Sequence, residues 1–325
     1  MKAQAGVVVI GRNEGQRLVR CLDALREMNC VCVYVDSGST DQSVAAAQAR
    51  GFDVVRLDPA RPFTAARGRN EGFARLLAIA PDLQFVQFVD GDSELSAGWI
   101  EQACQFLNGN PAYGMVVGGR SERHETETWY NILLAIEWTA PLGDIKFSGG
   151  NFMCRTALFS RLKGFREDLI AGEDPDFCVR ARATGARIWN HEAHMLTHDG
   201  SMTRFGQWWR RSRRGGYAFA LGYALHGDAP EFHCRRELRG VLMWAGVLPF
   251  AAFLGALVIS PWWLLLLLAL PLQVVRLALR GTRSRRYNWI YATLITLGKF
   301  PEFLGVVECA ARRLSGARQQ LIEYK

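Results

Sequence analysis

The chain of 325 residues contains no internal repeat and no low-complexity segment, which excludes solenoids, collagen-like rods and broadly disordered chains. Metal-type cysteine spacing is missing as well. Eight cysteines are scattered, and the closest pair, Cys30 and Cys32 in "CVCVYVD", takes alternate positions of an apolar strand, where thiols act as small buried fillers rather than as a zinc site. There is no glycine-rich phosphate loop. No amino-terminal run has the character of a signal peptide, so the first residues are expected to stay in a reducing compartment. With 49% apolar residues, the chain can fill one large domain or two smaller ones.

Charge is absent from residues 240–275, "GVLMWAGVLPFAAFLGALVISPWWLLLLLALPLQVV", a run that a soluble core rarely needs. At about 1.5 Å per helical residue it reaches roughly 54 Å, too long for one pass through about 30 Å of hydrocarbon and enough for two short ones hinged at Ser260 and Pro261. A helical hairpin over residues 241–279 is the expectation, with a re-entrant pair or a buried core hairpin as alternatives. Arg235, Arg236 and Arg239 precede it, and Arg276, Arg280, Arg283, Arg285 and Arg286 follow, so the positive-inside rule puts both ends on the cytoplasmic face, with an even number of passes. The later stretch "WIYATLITLGKFPEFLGVV" is interrupted by Lys299, Pro301 and Glu302 and reads as an interfacial or packed amphipathic helix.

The formal net charge of +8 is uneven, since residues 204–239 carry eight arginines against Asp228, Glu231 and Glu237. Trp208 and Trp209 beside four of these arginines, in "RFGQWWRRSRRGGYAFALG", make an interfacial helix that meets acidic lipids. No nucleic-acid partner is expected, because the hairpin already explains an anionic surface nearby.

Upstream, strand and helix signals alternate. "AGVVVIG", "CVCVYVD", "DVVRLD" and "FVQFVD" read as strands, separated by helical segments such as "NEGQRLVRCLDALREM", with Leu18, Cys21, Leu22 and Leu25 on one face. Such alternation predicts an α/β domain with a parallel sheet whose ligands sit at the carboxyl ends of the strands. The polar clusters "GRNEG", "DSGSTD" and "DGDSE" all fall at those ends. Gly91 lets Asp90 and Asp92 turn toward one ligand, and paired carboxylates of this kind suit Mg²⁺ or Mn²⁺ bridging to nucleotide phosphates. A polar strand-to-loop turn has the same composition. "AGEDPDFCVRA" reads as a helix start, where the dipole keeps Glu173, Asp174 and Asp176 ionised.

Taken together, "VVVIGRNEG", "VYVDSGSTDQS", "AARGRNEGF", "FVDGDSEL", "FSGGNFMCRTALFSRLKGF" and "AGEDPDFCVRARATGARI" resemble the family 2 glycosyltransferases over residues 6–200. The resemblance implies a GT-A (Rossmann-like) nucleotide-sugar-binding domain over residues 1–203, followed by a basic interfacial region at 204–239 and a membrane-associated helical region at 240–325 carrying the C-terminal hydrophobic helical hairpin. It implies an inverting, metal-dependent glycosyltransferase that moves a sugar from a nucleotide-diphosphate sugar, most commonly a UDP-sugar, to a lipid-linked or growing glycan acceptor at the membrane, in polysaccharide biosynthesis.

By that resemblance Asp36 meets the base, Asn13 and Glu14 line the same end, and Arg69 and Asn70 reach the nucleotide. Asp90 sits near ribose and metal, Asp92 is the direct metal ligand, and His198 is a third ligand for which His191 and His194 compete. Asp174 is the catalytic base, Glu173 shapes the acceptor site, and Asp176 caps or pairs with Arg180. Gly11 and Arg12 replace the family's usual Pro and aromatic before "NE", and Arg166 replaces the usual acid after "GF". The processive signature is only partly present, because Arg211 stands where Trp would follow Gln207 and Arg210. A nucleotidyltransferase and a catalytically silent membrane scaffold are the alternative readings.

Overall fold

A computed structural model describes residues 4–28 and 30–316. The chain forms two compact units, one built from residues up to 123 together with 138–200, the other from 124–137 together with 201 onward.

The first unit is built on a nine-stranded sheet. Its strands are β1 (Ala5–Gly11), β2 (Val31–Asp36), β3 (Asp53–Arg56), β4 (Phe85–Asp90), β5 (Ser93–Leu95), β6 (Tyr113–Glu122), β7 (Gly143–Ile145), β8 (Phe152–Arg155) and β9 (Arg187–His198). They lie in the order β3-β2-β1-β4-β8-β6-β9-β5, with β7 on β9. The first four are mutually parallel, as the alternating pattern predicts, but β8 runs antiparallel to β4 and β6, and β5 antiparallel to β9. The sheet is therefore mixed. Hydrophobic periodicity reports which residues form a strand and says nothing about its direction.

Helices α1 (Gln16–Arg26), α2 (Ser43–Ala49), α3 (Ala65–Ile79) and α4 (Trp99–Gly109) cross over between these strands. Helix α1 buries Leu18, Cys21, Leu22 and Leu25, the predicted face. Helix α3 approaches β1 closely because Gly72 faces it; a Cβ there would lie 2.4 Å from Val8. That approach carries Arg69 to the rim of the sheet. Register then levels the strand ends, since Gly11 pairs with Asp36 and Ile10 with Asp90, so the loops after β1, β2 and β4 open on one side.

The second unit begins with α5 (Trp129–Trp138), whose last residue falls in the first unit; α6 (Thr156–Arg161) and α7 (Glu173–Ala183) belong to the first. It continues with α8 (Phe205–His226), α9 (Arg235–Val241), a π-helical turn at Leu242–Val247 and α10 (Leu248–Val258). After a break at Ile259 and Ser260, Pro261–Leu268 forms a 3₁₀ segment leading into α11 (Ala269–Arg280). The hinge is where Ser260 and Pro261 predict it, and Gly255 lets Trp263 of the returning arm pack against α10: a Cβ there would lie 2.2 Å from the indole.

Among the described residues three helices are long and apolar enough to cross a membrane: Arg235–Val258, Pro261–Arg280 and Arg285–Ser315. The first two expose large side chains such as Phe250, Leu257, Trp262 and Leu272 along their length. The third, made of α12 (Arg285–Leu297) and α13 (Lys299–Ser315), is half covered within the unit, against 22% and 6% for the apolar windows of the others. Trp208 departs from the expected headgroup position. It is buried and stacks on Tyr130 at 6.0 Å, while Trp209 is half-buried. Part of the basic surplus is also neutralised locally, since Arg213 pairs with Glu308 at 2.6 Å and Arg211 with Glu137 at 2.7 Å.

Helices α8 and α13 meet through two glycines. A Cβ on Gly216 would lie 1.9 Å from the Glu302 carbonyl oxygen, and one on Gly305 would lie 2.0 Å from that of Arg213. Neither backbone can yield without parting the helices. Gly216→Ala is therefore expected to destabilise the protein by about 1–3 kcal/mol, the cost of overpacking, read as a lower Tm in detergent, whereas Ala at the open Gly215 of the same helix should raise it, by about 0.5–1 kcal/mol of helix propensity.

Candidate functional site

At the end of the rim formed by the loops after β1 and β2, Asn13 adopts a left-handed backbone, φ 54°, which Asn tolerates. Its Oδ1 accepts the Thr40 N–H at 2.7 Å, and its own N–H donates to Ser39 Oγ at 3.0 Å, tying the loop after β1 to the loop after β2. Asp36 is buried, and Oδ2 accepts the N–H groups of Gly38 and Ser39 at 3.1 and 3.0 Å while Oδ1 accepts Tyr34 O–H at 3.2 Å. It thus builds the "DSGS" turn. Buried Glu14 pairs with Arg17 at 2.7 Å.

Arg69 is 3% exposed, and its two terminal nitrogens are both committed, Nη2 to Asp90 at 2.8 Å and Nη1 to Glu173 at 3.0 Å. Burial alone would lower the guanidinium pKa; Asp90, Glu173 and Asp174 together raise it. Asn70 points its amide at a different task. Oδ1 accepts Phe165 N–H and Nδ2 donates to Phe165 carbonyl, both at 2.9 Å, so it staples the loop before α7. Asp90 is held from the other side by Asn151, whose Oδ1 accepts the Asp90 N–H at 2.7 Å and whose Nδ2 donates to Oδ2 at 3.2 Å.

Helix α7 starts at Glu173, after Gly172 in the left-handed region. Asp174 is half-buried at its first turn, and here the helix-dipole expectation fails. Desolvation and the neighbouring Glu173 raise its pKa to about 7, with Arg69 only partly opposing them. A carboxyl poised near neutrality is matched to proton transfer rather than permanently ionised. Asp176 pairs with Arg180 at 2.8 Å, the local role expected of it.

Asp90 and Asp92 hold separate partners. Asp92, buried after the Gly91 turn, faces His198, with its Oδ1 3.7 Å from Nε2. His198 Nδ1 lies 2.7 Å from Glu122. Burial lowers the His198 pKa, but Glu122, then Asp92 and Asp90, raise it above the usual value. His194 instead bonds Ser96 and Ser121, and His191 caps the Ala193 N–H, so of the three histidines it is His198 that meets an aspartate of the rim. Among the described residues no three His, Cys, Asp or Glu side chains form a ready-made metal cage. The donor set still fits a divalent ion. One carboxylate oxygen and one imidazole nitrogen face each other beyond hydrogen-bond distance, the small protein ligand set of ions that take further ligands from phosphate and water.

Four neighbours carry no sequence signal strong enough to single them out: Glu122, Asn151, Arg120 and Trp138. Arg120 donates to the carbonyls of Ser148 and Asn151 and lies 5.0 Å over the Trp138 ring; burial lowers its pKa to about 10. Arg120 and Glu122 sit two apart in the polar run "RSERHE", Asn151 lies inside "FSGGNF" and Trp138 ends α5, and only the tertiary structure brings them together.

A family model described as glycosyl transferase family 2 matches residues 6–206. Two curated pre-mycofactocin glycosyltransferases, from two strains of Mycobacterium tuberculosis, are each 27% identical to this chain over 232 residues, 66% of it and 47% of their own length. The chain thus spans about half the length of these relatives. Among solved structures, the mannosyltransferase PcManGT from Pyrobaculum calidifontis, in complex with GDP-Man and Mn²⁺, matches with a TM-score of 0.57 at 18% identity over 96% of this chain and 87% of that one. The shared fold is the GT-A fold, with apolar C-terminal helices in this chain.

Replacing Arg69 by Met removes the cation between two carboxylates. Chemical denaturation should show a loss of about 3–5 kcal/mol, the cost of leaving buried charge uncompensated, and Arg69→Lys, which cannot bridge both acids with a planar fork, should recover only part of it.

Proposed function

Since the chain belongs to glycosyl transferase family 2, we propose that it transfers a sugar, with inversion, from a nucleotide-diphosphate sugar to a lipid-linked or glycan acceptor at the cytoplasmic face of the inner membrane. The observation that carries this reading is the pairing of a carboxyl raised to about 7, Asp174, with the rim acids Asp36, Asp90 and Asp92, at or just beyond the ends of the two strands that flank β1. Asp36, with Asn13 and Glu14, marks the base end. Asp90, held between Arg69 and Asn151, stands at the ribose and metal. Asn70 acts through the loop it fixes.

Mg²⁺ or Mn²⁺ would be held by Asp92 and His198, with Asp90 beside them, and supplies charge neutralisation for the departing diphosphate. The Mn²⁺ bound to PcManGT supports a divalent ion in a site of this fold. Inversion needs no covalent nucleophile, only a base that takes the acceptor hydroxyl proton as the bond forms; Asp174 is that base in this reading, and Glu173, which pairs with Arg69, shapes the acceptor site. Catalysis of this kind leaves the base protonated at the end of each turnover, and a pKa near 7 allows it to release that proton to solvent.

The arginine-flanked hairpin over residues 241–279 supports membrane attachment with both of its ends cytoplasmic, and the half-covered Arg285–Ser315 helix supports packing within its unit rather than a third pass. The chain then divides into a catalytic region at 1–203, a basic region at 204–239 and the membrane-associated remainder.

Three outcomes test this. Asp174→Asn should reduce transfer by about 10² to 10⁴ while leaving nucleotide-sugar affinity nearly intact; near wild-type transfer would remove Asp174 from the role. Because the ionised carboxylate is the base, the transfer rate should climb about tenfold per pH unit below 7 and level off above it, and a profile flat from acid to neutral pH would contradict the assignment. Truncation after Arg239 should shift the protein toward the soluble fraction, and cysteine labelling of both hairpin ends from outside intact cells would refute the topology.

A further inference from the structure

Glu122 is the last residue of β6, with a side chain wholly removed from solvent. Both of its oxygens are used. Oε2 lies 2.7 Å from His198 Nδ1, and Oε1 accepts the backbone N–H of Gly200 at 2.8 Å. Sheet register fixes this arrangement, because His198 pairs with Glu122 on β6 and with Ser93, the residue after Asp92, on β5. The Asp92 carbonyl also accepts the Asp199 N–H at 2.9 Å. Across the imidazole face lies Trp138, with ring centroids 4.8 Å apart. Ring tilt, ring position and the environment of each nitrogen are therefore all determined by neighbours.

The chemical consequence concerns the tautomer. A carboxylate can only accept, so a neutral imidazole beside it carries its proton on Nδ1, and the Nε2 lone pair is presented toward Asp92 Oδ1, 3.7 Å away. We propose that Glu122 is the positioning residue of the divalent-metal site, holding His198 in the one tautomer that can ligate Mg²⁺ or Mn²⁺ through Nε2. This rests on the metal-dependent reading above and adds to it the residue that makes the histidine competent. Carboxylate partners of ligating histidines act in this way, and losing one costs about 10- to 100-fold in metal affinity.

Glu122→Gln separates position from tautomer. The Gly200 N–H still requires an oxygen, so the Gln carbonyl takes that place and its NH₂ turns to His198. Nδ1 must then accept, the proton moves to Nε2, and the lone pair facing Asp92 is lost while side-chain volume and packing stay the same. Two measurements on the full-length protein in detergent test this. Electron paramagnetic resonance of free Mn²⁺, titrated alone, should give an affinity about 10- to 100-fold weaker for Glu122→Gln than for wild type, with His198→Ala as the reference for complete loss of the ligand. Nitrogen-15 shifts of labelled histidine at alkaline pH, without metal, should show the His198 proton on Nδ1 in wild type and on Nε2 in the variant. Equal Mn²⁺ affinity in wild type and Glu122→Gln, or an unchanged tautomer, overturns the inference while leaving the metal-dependent reading standing. A wild-type protein that binds no Mn²⁺ overturns that reading and the inference with it.

Discussion

The buried guanidinium of Arg69 is the interaction on which the site depends. It joins the end of β4, through Asp90, to the start of α7, through Glu173, and so sets the distance between the side that would hold a nucleotide and the side that would hold an acceptor. Without a cation there, Asp90, Glu173 and Asp174 would crowd three carboxyls into a desolvated space, which costs far more than the bridge itself stabilises. The same charge limits how far the Asp174 pKa can rise. Burial and Glu173 push it upward, Arg69 pulls it back, and the balance falls at about 7, where a carboxyl can both take and release a proton.

Around that bridge the protein uses side-chain amides and backbone N–H groups as fasteners. Asn151 fixes Asp90, Asn70 fixes the loop at Phe165, and Asn13 laces the first two strand-end loops together. Such bonds are each worth roughly 0.5–1.5 kcal/mol net, so their contribution is geometric more than energetic. Glu122 and Trp138 do the same for His198, and the C-terminal helices follow a related rule in which Gly216, Gly305 and Gly255 remove side chains so that backbones and an indole can approach.

Much of the fold was legible because it rests on periodicity. The helical face Leu18, Cys21, Leu22 and Leu25, the apolar strands ending in polar clusters, and the hinge at Ser260 and Pro261 all appear where apolar spacing and punctuation place them. Strand direction was not legible, because a strand reads identically whichever way it pairs, and β8 and β5 are where the parallel expectation ends. Trp208 misled for a similar reason: an aromatic beside arginines has the composition of an interface, and its burial against Tyr130 depends on a helix far away in sequence.

The sequence by itself determined the class of the fold, the acids at the strand ends, the helix start at Glu173 and the uncharged hairpin, since each is a local pattern of side chains along a short segment. Tertiary structure alone decided which charges meet. Asp90 bonds Arg69 and Asn151, 21 and 61 residues away, while Asp92 faces His198 and His198 meets Glu122 across 76 residues. A pKa follows from burial and from the sum of neighbouring charges, and a tautomer from the partner at one nitrogen. Neither quantity exists until the sheet has brought distant residues into register.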